Sequence, residues 1–324
     1  MSNNYISSVV IDDFKCYQQL EVDDFKRVNL IGGKNNIGKT TLIEALYISK
    51  SSTPFQLYEK LLEIETHRNL TNNLLSNTTR QEDFRNLIKS NLDINIITNN
   101  NSNQRLLKVY QDGSDIVVFT DEQKRFKISE MIDIFDIDFK SSKQLFSLNF
   151  ITPYSNSDTE LNNIISQSKF DGKYEILNQY LLDIFNVTID VLKNKPMLKI
   201  KDKYIKLSQF GQGIKTFINI IASMSLLEND IIFIDEVENG IHYTNFDKIW
   251  EIIFDISKKQ NIQVFITTHS KECIESYYKI SNELEEDDLT FINLSNNNDK
   301  SIAITLDSEM FKSEIEQNHE VRAW

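Results

Sequence analysis

Residues Ile31–Ile43 read Ile-Gly-Gly-Lys-Asn-Asn-Ile-Gly-Lys-Thr-Thr-Leu-Ile and contain the spacing Gly33-x4-Gly38-Lys39-Thr40. The apolar run Val28–Ile31 precedes them and predicts a buried strand; Thr41–Ser49 follows and predicts a helix. A glycine-bearing turn between a strand and a helix is what a phosphate-binding loop requires. Glycines let the main chain wrap closely around a phosphate, and the helix start supplies N–H groups at a positive dipole end. Lys39 is spaced to reach β- and γ-phosphates, and Thr40 to offer a hydroxyl to Mg²⁺. The expected nucleotide-binding set is Gly33, Lys34, Asn35, Asn36, Ile37, Gly38, Lys39, Thr40 and Thr41. A ligand-free Gly/Asn turn is the plain alternative, and the flanking strand and helix disfavour it.

Composition narrows the classes left. The chain has 324 residues, 40% of them hydrophobic, enough to bury a substantial core. With 3 prolines and 8 glycines, long linkers are not expected. No apolar run reaches membrane-spanning length, and Met1-Ser2-Asn3-Asn4 does not open a signal peptide, so a cytoplasmic protein is expected. Cys16 and Cys273 are too few for a disulfide framework and lack metal spacing. A net charge of −13 disfavours whole-surface attraction to nucleic acid or anionic lipid, though a local basic patch is left open.

Along the chain, Tyr5–Phe14 and Val28–Ile31 predict strands leading into the loop. Phe55–Ile64 and Gln81–Ile88 carry helical patterns. Ile94–Thr98, Leu106–Tyr110, Ile116–Phe119 and Phe126–Ile128 read as strands, with turns at Asn99–Asn103 and Asp112-Gly113. Residues 50–145 are read as a lobe inserted into a single domain spanning 1–324. A helix is expected at Asp171–Ile184, a hairpin from Met197 to Leu207, and a helix at Thr216–Leu227. Ile231–Ile234, Asn245–Lys258 and Val264–Thr267 then alternate as strand, helix and strand, a βαβ pattern pointing to a parallel sheet. Leu289–Leu294 and Ile302–Leu306 are late strands. No repeat or long heptad stretch is present.

Three further segments carry chemistry. Ile231–Ile234 ends in Asp235-Glu236, so a rigid buried strand delivers two acids to a sheet edge. Asp235 is expected to hold Mg²⁺ directly or through water, and Glu236 to polarise the attacking water. Val264–Thr267 ends in Thr268-His269-Ser270, and His269 at such an edge suits a γ-phosphate or an attacking water. The other three histidines carry no such context. Leu207–Lys215 places Ser208, Gly211, Gln212 and Gly213 at a helix start, a second anion-binding device. On its own that segment is equally an ordinary helix cap.

The order of these elements resembles that of the ABC-type ATPases. In particular the chain resembles the prokaryotic OLD-like and RecF/SMC-like branch, and within it the short stand-alone AAA-type ATP-binding proteins. Asp13-Phe14-Lys15, Gly33–Leu46, Leu207–Lys215, Asp235–His242, Gln263–Ile274 and Glu320-Val321-Arg322 carry the resemblance. It implies an α/β P-loop fold: a central, mostly parallel sheet flanked by helices, with the inserted lobe of helices and strands. It also implies ATP and Mg²⁺ as ligands and a head-to-tail homodimer or higher oligomer. One subunit would bind ATP with Gly33–Thr41 and Asp235, and Ser208 and Gly211–Gly213 of the other would cap it. Lys39, Glu236 and His269 would be the catalytic groups. The signature departs from the branch, because Gln209-Phe210 separates Ser208 from Gly211. Ile151–Tyr154 falls where a glutamine loop is expected and lacks the glutamine.

The resemblance also implies a separate effector protein, a nuclease in a bacterial phage-defence system being the leading expectation. A RecF-like repair clamp and an ATP-gated scaffold with negligible turnover are the alternatives. The nuclease domain usual in OLD proteins is not expected here, since few residues follow Leu306 in this sequence. Asp136 and Asp138 are spaced like nuclease acids but read as a solvated surface. Lys199, Lys201 and Lys203 are read as sharing one hairpin face, with Lys193, Lys195 and Lys206 nearby. A solvated face is favoured there over a nucleic-acid contact.

Overall fold

The computed structural model describes residues 5–68, 93–100, 103–113, 115–120, 125–127, 148–193, 195–297 and 300–316. The expected helix at 81–88, the acids at 136 and 138, and the motif at 320–322 lie outside them. The first strands are β1 (Ser8–Phe14), β2 (Tyr17–Val22) and β3 (Val28–Gly33), followed by helices α1 (Lys39–Ser49) and α2 (Pro54–Arg68). Next come β4 (Ile94–Asn99), β5 (Gln104–Asp112), β6 (Asp115–Phe119), β7 (Arg125–Lys127) and β8 (Phe150–Ile151). Helices α3 (Asp158–Phe170) and α4 (Tyr174–Phe185) precede β9 (Thr188–Leu192), β10 (Lys195–Ile200) and β11 (Lys203–Lys206). The remainder is α5 (Gln212–Leu226), β12 (Ile231–Ile234), α6 (Phe246–Gln260), β13 (Gln263–Thr267), α7 (Lys271–Glu283), β14 (Leu289–Asn297), β15 (Lys300–Leu306) and α8 (Ser308–Glu316).

The central sheet has the order β15-β14-β3-β13-β12-β8. All its pairings are parallel except the β14–β15 hairpin. Its inner strands are apolar on both faces because both faces are covered. Val28, Leu30, Ile232, Ile234, Val264 and Ile266 face one core, shared with the helices α3 to α7. Ile31, Ile231, Phe233 and Phe265 face a second core, shared with α1. The period-2 alternation of a strand thus divides each apolar run between two cores.

A second sheet, β2-β1-β4-β5-β6-β7, is antiparallel throughout. It closes the second core from the outside, so α1 lies between two sheets. This explains why Leu42, Ile43, Ala45, Leu46 and Ile48 leave no polar stripe on that helix. β4 pairs directly with β1, so strands from the stretch 50–145 extend a sheet begun by the N-terminal strands.

Two local readings are corrected. Asp171 caps the end of α3, and the next helix begins only at Tyr174. The lysines of the β10–β11 hairpin do not share a face. Lys201 sits in the turn with φ 54, Lys203 pairs with Ile200, and Lys199 pairs with Tyr204 on the opposite side. Among the described residues no helix is long and apolar enough to cross a membrane.

Candidate nucleotide site

β3 delivers the loop and α1 receives it. Gly38 caps α1 with φ 107, a left-handed conformation that favours glycine. A side chain there would also meet Tyr17, whose hydroxyl would lie 2.6 Å from the added Cβ. Tyr17 is itself buried and donates to the Gly38 carbonyl at 2.8 Å, so it buttresses the loop from β2. The Lys39 amine donates to the carbonyls of Gly33 (2.8 Å) and Lys34 (2.9 Å), which holds it inside the loop. Burial pulls that amine below its ordinary pKa, and Glu238, Asp235 and Glu236 pull it back up. Lys15, from the β1–β2 turn, pairs with buried Glu44 of α1 at 2.8 Å.

The central sheet brings the two acids to this loop. β13 lies between β3 and β12, so one strand separates Asp235 from the phosphate-loop strand. The Thr40 hydroxyl nevertheless reaches both Asp235 oxygens, at 3.1 and 3.0 Å. Thr267, at the end of the intervening β13, donates to Asp235 Oδ1 at 2.5 Å and accepts the Glu236 N–H at 2.8 Å. Burial pushes the Asp235 carboxyl up to about 6; the Thr267 and Thr40 hydroxyls oppose this, and the charges of Glu236 and Glu44 add to it. Glu236 has φ 49, a backbone state that a non-glycine residue adopts at some cost.

A divalent cation fits this geometry in a limited sense. Among the described residues no group of three or more His, Cys, Asp or Glu is arranged to hold a metal. What is present is one buried carboxylate and one hydroxyl beside a phosphate loop. Mg²⁺ is typically held so, by one or two protein oxygens with substrate phosphates and water completing the shell.

His269 follows β13 and is tied to Glu238, three residues beyond Asp235. Glu238 Oε1 accepts the His269 main-chain N–H at 2.7 Å and lies 2.9 Å from its Nδ1. Sequence reasoning assigned no role to Glu238, Thr267 or Tyr17. Glu238 lies in the Asp235–His242 stretch, and a carboxylate two residues after the Asp235-Glu236 pair was the available signal.

Asn35, Asn36, Gly38, Lys39, Thr40, Thr41, Glu236, Thr267, His269 and Cys16 line one cavity of about 560 Å³. A neighbouring cavity of about 220 Å³ is lined by Thr40, Glu44, Asp235 and Glu236 together with Thr152, Pro153 and Tyr154. The segment after β8 therefore reaches the Thr40–Asp235 side of the site without a glutamine. Lys34 is exposed beside the loop and Ile37 packs on the second core. Ser208, Gly211 and Gln212 are exposed, and none of them, nor Gly213, lines either cavity. The structure thus gathers the loop, Asp235, Glu236 and His269, and leaves the signature segment outside.

Residues 52–275 match the family described as "AAA domain, putative AbiEii toxin, Type IV TA system". The match includes Asp235, Glu236 and His269 and begins after the phosphate loop. The chain is 26% identical to an ATP/GTP phosphatase of Helicobacter pylori, over 83% of this chain and 86% of that protein. It is also 26% identical to the DNA replication and repair protein RecF of Clostridium acetobutylicum, over 82% of this chain and 62% of RecF. Among solved structures, an SMC head bound to the C-winged helix domain of ScpA aligns with a TM-score of 0.57 at 15% identity, covering 94% of this chain and 99% of that one. The SMC head of Thermotoga maritima aligns with a TM-score of 0.53 at 12% identity, covering 93% and 99%. At those identities the likeness is one of fold. The family match spans most of the chain, and with the loop and acids in place the chain belongs to this AAA-domain family, as an ATPase domain with the fold of an SMC head.

Proposed function

We propose that this chain binds Mg²⁺-ATP at Gly33–Thr41, hydrolyses it across a head-to-tail dimer interface, and thereby regulates a separate effector protein. The observation that carries the reading is the contact between Thr40 and Asp235, 3.1 and 3.0 Å, at the wall of a cavity that also holds Glu236. It joins a phosphate-loop hydroxyl to a strand-end carboxylate across one intervening strand. Thr40 and Asp235 would hold Mg²⁺, which when bound would supply charge neutralisation on the phosphates. Lys39 takes up negative charge that builds on the β- and γ-oxygens. Glu236 orients and polarises the attacking water, and His269 supports the γ-phosphate.

The dimer takes support from the exposure of Ser208, Gly211 and Gln212 at the start of α5. An anion-binding helix start that does not face its own nucleotide cavity suits a partner's nucleotide. A protein partner takes support from the SMC head bound to ScpA. As effector we propose a nuclease in a bacterial phage-defence system, a setting in keeping with the toxin–antitoxin wording of the family description. The RecF likeness favours a second reading, an ATP-dependent DNA-repair clamp. Against a basic track for DNA stand the net charge of −13 and the opposed faces of Lys199 and Lys203.

The test is turnover and nucleotide binding by the purified chain and by Lys39→Ala. The variant should keep its circular-dichroism spectrum and lose turnover by about 100-fold or more. A folded Lys39→Ala that hydrolyses ATP like the wild type rejects the reading.

A further inference from the structure

We propose that Glu238 is a positioning residue for His269. One carboxylate oxygen holds both the main-chain N–H and the ring of His269, and so fixes which ring nitrogen is presented to the nucleotide. The proposal deepens the nucleotide reading above and rests on it for the role of His269.

The geometry is specific. Glu238 lies on the turn after β12, where Asn239 N–H bonds to the Glu236 carbonyl and Ile241 N–H to the Glu238 carbonyl. That turn is stitched to the end of β13, because Val237 N–H donates to the Thr267 carbonyl at 3.1 Å. Glu238 is only 8% exposed, so its carboxylate has few positions available. Its Oε1 receives the His269 N–H at 2.7 Å and faces Nδ1 at 2.9 Å. An ionised carboxylate accepts hydrogen bonds and donates none, so Nδ1 must carry the proton. Nε2 is then the ring nitrogen not engaged by Glu238, and His269 lines the cavity of the phosphate loop. Among the described residues the buried Glu238 Oε2 has no hydrogen-bond partner, so the carboxylate is held here against a desolvation cost. A carboxylate on the far nitrogen of a functional imidazole sets both tautomer and orientation.

The first measurement is the ¹⁵N ring spectrum of His269 in the nucleotide-free, full-length protein. With 4 histidines in the chain, assignment by single His→Asn variants is tractable. Nδ1 should carry the proton in the wild type, and wild-type protonation on Nε2 alone overturns the proposal. Glu238→Ala should move the proton toward Nε2. It should lower kcat by about 10- to 100-fold with the KM for ATP changed far less. Glu238→Gln keeps an accepting oxygen; it should restore the ring signature and recover much of the lost kcat. An unchanged ring in Glu238→Ala, or a Gln variant as impaired as Ala in both readouts, overturns the proposal. If Glu238→Ala fails to fold, the wild-type ring and Glu238→Gln decide. If the ring shifts and kcat does not, Glu238 still positions His269, and the role given to His269 in hydrolysis is what fails.

Discussion

A Cβ placed on Gly213 would lie 2.4 Å from the carbonyl oxygen of Gly240. The first turn of α5 is therefore docked directly on the turn that follows Asp235 and Glu236. Thr216 adds to the junction by donating to the Asn239 carbonyl at 3.2 Å. A movement of the signature helix must displace the turn bearing Glu238, or move with it. This couples the exposed Ser208–Gln212 surface to Asp235 and Glu236 within one chain.

The junction makes Gly213 and Gly211 unequal. Gly213→Ala must push main chain against main chain and should cost about 1–3 kcal/mol of stability. Gly211→Ala meets nothing within 4 Å among the described residues and should cost far less. Urea denaturation of the two variants checks this; equal midpoints would remove the docking argument.

Glu236→Gln keeps the shape of the side chain and leaves Asp235 in place. It removes the carboxylate proposed to activate water. ATP should still bind and its dimer should persist, while turnover falls by about 100-fold or more. Single-turnover kinetics with a binding measurement on the same sample separates the two effects. Equal hydrolysis by variant and wild type would reject Glu236 as the activating group.

Lys60 gives a pH dependence unrelated to the nucleotide. Its amine donates to the Tyr47 carbonyl at 2.7 Å and sits 4.7 Å from the Tyr47 ring centre. Burial, reinforced by Lys50 and Arg105, pulls its pKa down to about 7. In the unfolded chain the amine stays protonated to about 10. Between those values the unfolded chain binds more protons, so this group makes stability rise with pH from about 7 upward. Below about 7 its penalty is fully present. Lys60→Met should flatten the slope of unfolding free energy between pH 7 and 9 by up to about 1.4 kcal/mol per unit. Urea melts of both proteins at several pH values test this, and parallel curves would contradict it.

What the sequence disclosed follows from how local each constraint is. The phosphate loop was legible because its chemistry dictates residues within a few positions of one another. β12 and β13 were legible because burial on both faces leaves an unbroken apolar run. α3 carries its start signal in side chains rather than in apolar periodicity: Ser157 and Glu160 form a capping box, with Ser157 Oγ accepting the Glu160 N–H at 3.2 Å. β2 alternates poorly and β8 has two residues, so pattern gave neither. The Tyr17–Gly38, Thr267–Asp235 and Gly213–Gly240 contacts depend on strand order, which no local pattern encodes. The lysine face failed because the hairpin turn falls at Lys201 and inverts the alternation beyond it.

The composite site is best tested at Gly211. It caps α5 with extended backbone, φ −65 and ψ 163, and a side chain there meets none of the described residues within 4 Å of its Cβ. Aspartate is among the preferred residues at a helix N-cap, so Gly211→Asp should leave thermal stability unchanged or raised. If this helix start caps a partner's γ-phosphate, the new carboxylate opposes it with like charge. Nucleotide should still bind the variant's own phosphate loop, while ATP-dependent dimerisation and turnover are lost. Mixing Gly211→Asp with Lys39→Ala then discriminates between arrangements. In a mixed head-to-tail dimer one site combines both lesions and the other has neither. Random exchange makes half the dimers mixed, each with one intact site of two, so activity should recover to about a quarter of wild type. No recovery with subunit exchange demonstrated would mean that capping is within one chain or that both sites must act together. A Gly211→Asp protein that is active alone would reject the capping role.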